Sequence, residues 1–326
     1  MRASFDILGL GNAIVDVIAR ADDKLLGRLE LAKGTMTLVD TARAQAIYEA
    51  MGPGVESSGG SAANSCAVAA AIGAKVAFVG QVADDQLGQV FGHDIRAAGV
   101  AFDTPPAKDG PPTARCLILV TQDAQRTMCT YLGACVNLSE AAIVPATVQA
   151  AAVTYMEGYL FDPPAAQAAF RKAAALAHQA GRLVSLTLSD PFCVDRHRDA
   201  FRALVKDEVD ILFANEAELL SLYQVADFAD ALAAVRAETR IACLTRSEQG
   251  SVVATPQQLV QVAAVPTSVV DTTGAGDAYA AGFLAGFTQG KALSVCGRMA
   301  SVAAAEAISH VGARPQGDLK ALMAGV

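Results

Sequence analysis

The stretch "AAVTYMEGYLFDPPAAQAAFRKAAALAHQAGRLVSLTLSD", residues 151–190, alternates two kinds of segment. Two short runs rich in β-branched residues, "AAVTYMEG" and "RLVSLTLSD", flank an alanine-rich segment of helical length at residues 165–180. A strand, a helix and a second strand in this order form the unit from which parallel sheets are built. The pattern predicts two parallel strands with a helix packed across them.

The same alternation recurs along the chain. Four further runs resemble strands and end in small or polar residues: "FDILGLGN", "KVAFVGQV", "VDILFANE" and "RIACLTRSE". A second alanine-rich segment of helical length covers residues 227–239. We therefore expect an α/β fold with a central, mainly parallel sheet between helices. Ligands of such sheets bind beyond the carboxyl ends of the strands. Polar residues near those ends are Asn12, Asp16, Asp84, Asp85, Glu157, Asp190, Asn215 and Glu218.

Two segments depart from this alternation. Residues 14–39 and 112–131 are typical of extended strands, the second with a turn near "TQDAQ" and no long helix. They predict a small separate sheet that acts as a lid. The length of 326 residues is compatible with one domain over residues 1–326, with both lid segments inside it.

Composition excludes several classes of partner. The net charge is −8, and no run of Lys or Arg is long enough to follow a nucleic-acid backbone. Charged or polar residues interrupt every apolar stretch before the roughly 20 residues that a membrane span needs. The start "MRASFDILGL" lacks a secretory signal, and the seven cysteines form no CxxC pair. We expect a cytoplasmic protein with neither nucleic acid nor membrane as partner. The four histidines are too scattered for a structural zinc site.

The segment "TTGAGDAYAAGFL" places small residues before an aspartate and an apolar helix. Gly274, Ala275 and Gly276 would let backbone N–H groups approach a ligand at a helix N-terminus. Such an anion hole suits a transferring phosphoryl group, and Asp277 could accept a proton from an attacking hydroxyl. A tight turn followed by a helix-capping aspartate explains the same residues equally well.

Two other segments carry polar residues at helix starts. In "SGGSAANSC" a glycine pair exposes backbone N–H groups, and Asn64 offers both a donor and an acceptor to ligand hydroxyls. In "VDILFANEAE", Asn215 and Glu218 share one helical turn, with a carboxylate suited to hydrated magnesium. An N-cap and a capping box are the competing explanations.

Three well-known catalytic or nucleotide-binding patterns are absent or incomplete. "AGFTQGKAL" lacks the first glycine and the final hydroxyl of a P-loop, and "GLGNAI" lacks the third glycine of a dinucleotide fingerprint. No GxSxG stretch is present.

Together, "GGSAANSCAVAAAIG", "NEAE" and "DTTGAGDAYAAGFL" resemble motifs of the ribokinase (PfkB) family of carbohydrate and nucleoside kinases, in the same order. The resemblance implies a three-layer α/β/α fold with a small β-sheet lid, ATP as phosphoryl donor, and magnesium. It makes Asp277 the general base and residues 274–276 the anion hole. It assigns magnesium and the ATP phosphates to Asn215 and Glu218, with Glu218 acting through water.

The resemblance also implies further ligands around the nucleotide. It assigns the contacts along ATP to Thr245, Arg246, Ser247 and Gly250. A monovalent cation, potassium, would lie near Asp271 and the loop "SHVGARP".

Within the family, "GNAIVDV" and "YLGACVNLS" are most similar to adenosine kinases. This similarity assigns the ribose hydroxyls to Asp16, Gly60 and Asn64, and the phosphates on lid closure to Arg126. The base pocket would be lined by Ile14, Met36, Leu132 and Tyr159. Neither "GNAIVDV" nor "GGSAANS" supplies the Lys or Arg that a sugar-phosphate acceptor requires. Apolar residues favour an acceptor with a flat apolar part, although ordinary core packing also explains them.

The expected function is ATP-dependent phosphorylation of a nucleoside 5'-hydroxyl, with adenosine converted to AMP. A kinase for a free sugar such as ribose or fructose, or for inosine or guanosine, is the alternative. A non-catalytic nucleotide sensor and a dinucleotide-dependent reductase are weaker ones. The resemblance leaves open whether the protein is a monomer or a homodimer.

Overall fold

The computed structural model describes residues 3–123 and 125–326. The strands in these residues are β1 (Phe5–Leu10), β2 (Ile14–Arg20), β3 (Met36–Leu38), β4 (Gly54–Gly59), β5 (Val76–Val79), β6 (Val100–Ala101), β7 (Ala114–Val120), β8 (Arg126–Tyr131), β9 (Ala151–Glu157), β10 (Leu183–Thr187), β11 (Ile211–Asn215), β12 (Ile241–Thr245), β13 (Ser251–Ala254) and β14 (Leu259–Val262). The α-helices are α1 (Asp23–Arg28), α2 (Thr41–Ala50), α3 (Ser61–Ile72), α4 (Gln86–Ala97), α5 (Pro145–Ala150), α6 (Pro164–Gln179), α7 (Pro191–Asp207), α8 (Glu216–Tyr223), α9 (Phe228–Glu238), α10 (Ala275–Thr288), α11 (Leu293–Ala307) and α12 (Leu319–Met323).

The large sheet has the strand order β14-β13-β12-β11-β10-β9-β1-β5-β6. Its strands pair in parallel from β12 to β6, and β13 pairs antiparallel with both β12 and β14 at one edge. The six strands predicted from the sequence are β1, β5, β9, β10, β11 and β12, and they form the centre of this sheet. The mainly parallel α/β fold is therefore confirmed.

Helices cover both faces of the large sheet, because neighbouring residues of each strand point in opposite directions. Ile7 belongs to a core shared with α3, α10 and α11, whereas Leu8 belongs to a second core shared with α6, α7 and α9. The result is the expected three-layer α/β/α arrangement. The alanine-rich segments predicted to be helical are α6 and α9.

The small sheet has the order β3-β8-β7-β2-β4. Segments 14–39 and 112–131 supply four of its five strands, but residues 14–39 are not continuously extended. The α1 helix interrupts them because Asp22 caps it, accepting a hydrogen bond from Leu25 N at 2.8 Å, and because Leu25 and Leu26 are buried. The fifth strand, β4, is "GVESSG", whose glycines and serines give little strand signal.

All seven cysteines lie among the described residues, and each is buried and unpaired. No helix in the described part of the chain is long and apolar enough to cross a membrane.

Candidate active site

Two glycines with left-handed backbone conformations bring the motifs of the sequence together. Gly60 (φ 98°) precedes α3, and a side chain there would collide with the Asn12 carbonyl oxygen. Gly274 (φ 77°) precedes α10, and a Cβ there would lie 2.6 Å from the Ala313 Cβ. Only glycine adopts such conformations without strain. These turns direct the N-termini of α3 and α10 toward one another.

Asp277 links these two helices. Its Oδ1 accepts a hydrogen bond from Ser61 Oγ at 2.6 Å, and its Oδ2 accepts one from Asn64 Nδ2 at 3.3 Å. The N-cap position of α10 is Gly274, with no side-chain capping bond, so Asp277 does not cap the helix. Asn64 does not cap α3 either, because that helix begins at Ser61, earlier than the sequence suggested. Burial raises the pKa of Asp277 to about 6, although the Ser61 and Asn64 hydrogen bonds and the Arg314 charge oppose the rise.

Asp16 faces the same region from the small sheet. It lies on β2, and its carboxylate covers Gly59 at the end of β4. Burial raises the pKa of Asp16 to about 6; Arg314 and Arg126 lower it, and the negative charge of Asp277 adds to the rise. Asp16 and Asp277 therefore share one electrostatic environment, between the small sheet and the edge of the large one.

Arg314 is a site residue that the sequence interpretation missed. Its Nε and Nη2 donate to Ser58 O at 3.2 and 2.6 Å, Nη1 donates to Ala63 O at 3.2 Å, and Nη2 also reaches Ser58 Oγ at 2.7 Å. The guanidinium thus braces both ends of the glycine turn while its charge acts on Asp16 and Asp277. A single arginine in "SHVGARP" carries no local pattern that would reveal this contact.

Glu306 holds the loop that carries Arg314. Its Oε1 accepts from Gln316 N at 2.8 Å and from Gly317 N at 2.7 Å, and His310 Nε2 lies 3.1 Å from the same oxygen. The loop is therefore anchored to α11.

Arg126 connects the small sheet to the segment before α10. Its Nη1 forms an ion pair with Asp271 Oδ2 at 2.8 Å and donates to Thr273 Oγ1 at 3.3 Å. The residue is only 9% exposed, yet its Nε and Nη2 have no hydrogen-bond partner within the described ranges. Two buried, unpaired N–H donors next to a helix N-terminus suit an anion.

The Asp271 carboxylate is fully engaged. Oδ1 accepts from Thr273 N at 3.0 Å and from Thr273 Oγ1 at 2.7 Å, while Oδ2 accepts from Gly312 N at 2.9 Å besides Arg126. Burial favours protonation of Asp271, but these hydrogen bonds and the Arg126 charge outweigh it and leave the pKa lowered. A monovalent cation at this carboxylate would compete with Arg126.

Asn215 and Thr245 end adjacent parallel strands and are paired in register. Asn215 and Glu218 form the capping box that the sequence allowed: Asn215 Oδ1 accepts from Glu218 N at 2.8 Å, and Glu218 Oε2 accepts from Asn215 N at 2.9 Å. Asn215 Nδ2 also donates to Glu218 Oε1 at 2.6 Å. Burial raises the pKa of Glu218 to about 7; its hydrogen bond with Asn215 N–H opposes the rise, and the charge of Asp190 adds to it.

The carboxylate oxygens of Glu218 suit a hydrated magnesium ion. Each Glu218 oxygen accepts one hydrogen bond and so retains a lone pair, and the neighbouring negative charge of Asp190 favours a cation. No cluster of three or more His, Cys, Asp or Glu side chains able to hold a metal occurs in the part of the chain that the structure describes. Magnesium would therefore depend on water and phosphate oxygens for its remaining ligands.

The turn after β12 contains the other predicted ATP residues. Arg246 forms a two-point ion pair with Glu216, at 2.9 and 3.2 Å, and its guanidinium stacks 4.1 Å from the Phe228 ring centroid. Ser247 has φ 50°, and at Gly250 (φ 83°) a side chain would collide with the Val262 carbonyl oxygen. The backbone of this turn therefore favours glycine at position 250, and the charge of Arg246 is already paired with Glu216.

Only two of the four predicted base-pocket residues lie in one cluster. Ile14 and Leu132 belong to one apolar cluster on the small sheet, with Cys116, Ile118, Val120 and Cys135. Met36 and Tyr159 lie outside that cluster and are 50% and 39% exposed. The structure thus brings Ile14 and Leu132 together and leaves Met36 and Tyr159 at the surface.

Glu157, at the end of β9, is almost completely buried, with 1% exposure. It accepts hydrogen bonds from the Asn12 side chain and from the backbone N–H groups of Asn12 and Ala62. Burial raises its pKa to about 7, although these hydrogen bonds oppose the rise. The sequence marked both Glu157 and Asn12 only as polar residues near strand ends.

Comparison with known proteins identifies the family. The model of the pfkB family carbohydrate kinases matches residues 43–319. The crystal structure of adenosine kinase from Sinorhizobium meliloti is 49% identical, covers 99% of each chain and superposes with a TM-score of 0.91. Adenosine kinase of Schizosaccharomyces pombe is 27% identical, covering 89% of this chain and 90% of its own. An ATP-dependent ribose-1-phosphate kinase of Halopiger xanaduensis is 30% identical, covering 71% and 73%. The chain belongs to the pfkB family of carbohydrate kinases.

Proposed function

We propose that this pfkB-family kinase transfers the γ-phosphoryl group of ATP to the 5'-hydroxyl of adenosine. The observation that carries the proposal is Asp277, which lies in the first turn of α10 and is held by Ser61 and Asn64 from a segment more than 200 residues earlier. A carboxylate with a pKa of about 6 is ionised near neutral pH and accepts a proton from an alcohol as it attacks. The close similarity to an adenosine kinase supports the choice of acceptor.

The reaction consists of one displacement. Asp277 takes the proton of the 5'-hydroxyl, the O5'–phosphorus bond forms, and the bond from phosphorus to the β,γ-bridging oxygen breaks, releasing ADP. The N–H groups of the first turn of α10, at residues 274–276, would stabilise charge on the transferred group. Magnesium, held through water by Glu218 beside Asn215, would neutralise charge on the ATP phosphates. The unpaired Nε and Nη2 of Arg126 would donate to a phosphate.

The acceptor would lie between the small sheet and the start of α3. Asp16, Gly60 and Asn64 would bind the ribose hydroxyls, and Ile14 and Leu132 would form an apolar wall for the base. Met36 and Tyr159 would complete that wall from its exposed edge. Thr245, Ser247 and Gly250 would lie along the bound nucleotide. We place the protein in the cytoplasm.

A kinase for a free sugar or another nucleoside is the second candidate. The exposure of Met36 and Tyr159 favours the free sugar, because a complete pocket for any nucleoside base would bury both side chains. Ser58 and Ala63 accept four hydrogen bonds from Arg314, whereas Nε and Nη2 of Arg126 have no partner among the described residues, so Arg126 is better placed to meet an acceptor phosphate.

An ATP-consumption assay with magnesium tests the proposal against adenosine, inosine, guanosine, cytidine, ribose and fructose. Turnover with adenosine alone supports the proposal, turnover only with a free sugar overturns the base pocket, and no turnover with any acceptor overturns the function. Titrating potassium against sodium in the same assay tests the cation. Activation by potassium supports a cation near Asp271, and equal rates in both salts contradict it.

A further inference from the structure

We propose that Glu157 is a positioning residue, which orients the side-chain amide of Asn12 so that its Oδ1 accepts a hydrogen bond from the acceptor substrate. The inference rests on the proposed function for the identity of the acceptor. The orientation itself rests on contacts within the protein.

The contacts of Glu157 determine which end of the Asn12 amide faces it. Glu157 Oε1 lies 2.7 Å from Asn12 Nδ2, while Oε2 accepts from Asn12 N at 3.3 Å and from Ala62 N at 2.8 Å. The Asn12 amide thus presents its NH2 group to Glu157, and the ionised carboxylate, which only accepts hydrogen bonds, fixes that orientation. The Asn12 oxygen is thereby turned to the opposite side.

That oxygen lacks a partner. Asn12 is 2% exposed, and its Oδ1 forms no hydrogen bond with any described residue. A buried acceptor without a donor destabilises the protein, and a hydrogen bond from a ligand hydroxyl or amine would remove that cost. A merely structural contact between Glu157 and Asn12 would not require this unpaired atom.

Asn12 also lies next to the start of α3, where the acceptor is proposed to bind. The backbone of Asn12 packs against Gly60, the first residue before α3. Ala62, the other partner of Glu157, follows Ser61, which donates to Asp277. One buried carboxylate therefore fixes Asn12 and the start of α3 relative to each other, next to the proposed base.

Replacing Glu157 by Gln should reverse the orientation of the Asn12 side-chain amide. The Gln carbonyl oxygen can still accept from the two backbone N–H groups, but its NH2 group then faces Asn12 and requires an oxygen there. The flipped Asn12 presents NH2 to the substrate in place of Oδ1. Adding Asn12→Asp restores an acceptor, because one carboxylate oxygen bonds to the Gln amide and the other faces the substrate.

The test compares E157Q, the double variant N12D/E157Q and the control E238Q, which changes a partly buried, hydrogen-bonded carboxylate on α9. We expect E157Q to raise KM for the nucleoside ~10-fold or more, with KM for ATP nearly unchanged, as for one lost buried hydrogen bond. The double variant should return KM for the nucleoside to within ~3-fold of the wild type, and E238Q should leave both constants unchanged. Equal rises in both KM values in E157Q, or no recovery in the double variant, would overturn the proposal.

A second measurement needs no turnover and so separates this proposal from the proposed function. With asparagine-selective ¹⁵N labelling, the side-chain amide signal of Asn12 is the one missing from N12D. We expect E157Q to shift that signal strongly, because its bond to a carboxylate is lost. An unchanged signal would overturn the orientation even in an active kinase, and a shifted signal in a protein inactive on every acceptor would support it while the function fails.

Discussion

Three carboxyl groups, those of Asp16, Glu157 and Asp277, lie in one buried region, and burial raises the pKa of each. Their hydrogen bonds differ. Asp277 receives one donor on each oxygen, both from side chains of α3, whereas Glu157 is enclosed by three donors. Asp277 is therefore more available to an incoming hydroxyl than Glu157, and Glu157 is suited to holding its neighbours in place.

Asp277→Asn should abolish most catalysis while preserving the fold. Asn keeps an oxygen for the Ser61 hydroxyl but cannot take a proton, so kcat should fall at least ~10²-fold. Steady-state kinetics at saturating ATP, with a melting curve for each variant, provide the measurement. Asp318→Asn is the matched control, since Asn caps helices as well as Asp does and α12 lies beside Gly73, at the end of α3 opposite to Ser61. Normal turnover in the Asp277 variant would contradict its role as base.

Arg314→Gln should displace the acidic limb of the pH–rate profile. The Arg314 charge lowers the pKa of Asp277, so its removal raises that pKa and leaves less of the base ionised at neutral pH. We expect the midpoint of the acidic limb of kcat/KM to move to higher pH by about one unit. Arg314→Lys keeps the charge and should leave the limb in place, whatever it costs in stability. A limb at the same pH in both variants would mean that Arg314 only braces the turn.

At the scale of elements, the starts of α3 and α10 define the site. Each helix follows a glycine with positive φ, and each supplies polar groups from its first turn. The two neighbouring glycines of α10 nevertheless have different reasons to be glycine. Gly274 is required by its backbone conformation and by Ala313, whereas nothing lies within 4 Å of a Cβ at Gly276.

Gly276→Ala should therefore reduce activity without reducing stability. Alanine is a better helix former, so the melting temperature should stay equal or rise, while the added methyl group occupies space needed by the transferred phosphoryl group. We expect kcat to fall ~10-fold or more. In Gly274→Ala the strained conformation should instead destabilise the fold by about 1–2 kcal/mol. Full activity in the Gly276 variant would contradict the anion hole.

The sequence predicted the elements better than the contacts between them. Runs of β-branched residues and alanine-rich segments predicted the central strands and the helices, because local periodicity largely determines such elements. The strand β4 was missed because "GVESSG" becomes a strand only through pairing with β2. Asn12 and Glu157 form their contact across 145 residues, and Arg314 reaches Ser58 across 256, so no local pattern contains either.

At the scale of the whole molecule, the site lies where the small sheet meets the carboxyl edge of the large one. Asp16 and Arg126 come from the small sheet, Glu157 and Asn215 from strand ends of the large sheet, and Asp277 from α10. The Arg126–Asp271 ion pair joins the two parts directly. The junction therefore contains three buried carboxyl groups, those of Asp16, Glu157 and Asp277, whose pKa values are raised and whose ionisation opposes folding.

Activity and stability should therefore change in opposite directions with pH. The folded-state pKa values of Asp16 and Asp277 are about 6, and those of Glu157 and Glu218 about 7, all above their unfolded values. The folded protein thus binds more protons than the unfolded chain between about pH 4 and 7, and its free energy of unfolding falls as pH rises through that window. The proposed base Asp277, in contrast, should become active as pH rises past about 6.

Melting temperatures of the ligand-free protein between about pH 5 and 8, set beside the pH–rate profile, test this opposition. Each unit of raised pKa corresponds to about 1.4 kcal/mol, so the decline should be readily measurable. Glu157→Gln removes one of the two groups that titrate near pH 7 and should make the upper part of the stability curve less steep, while Asp277→Asn removes one of the two that titrate near pH 6 and should do the same for the lower part. A melting temperature that rises with pH across this range, or curves identical in all three proteins, would show that these carboxyls are not buried as the structure places them.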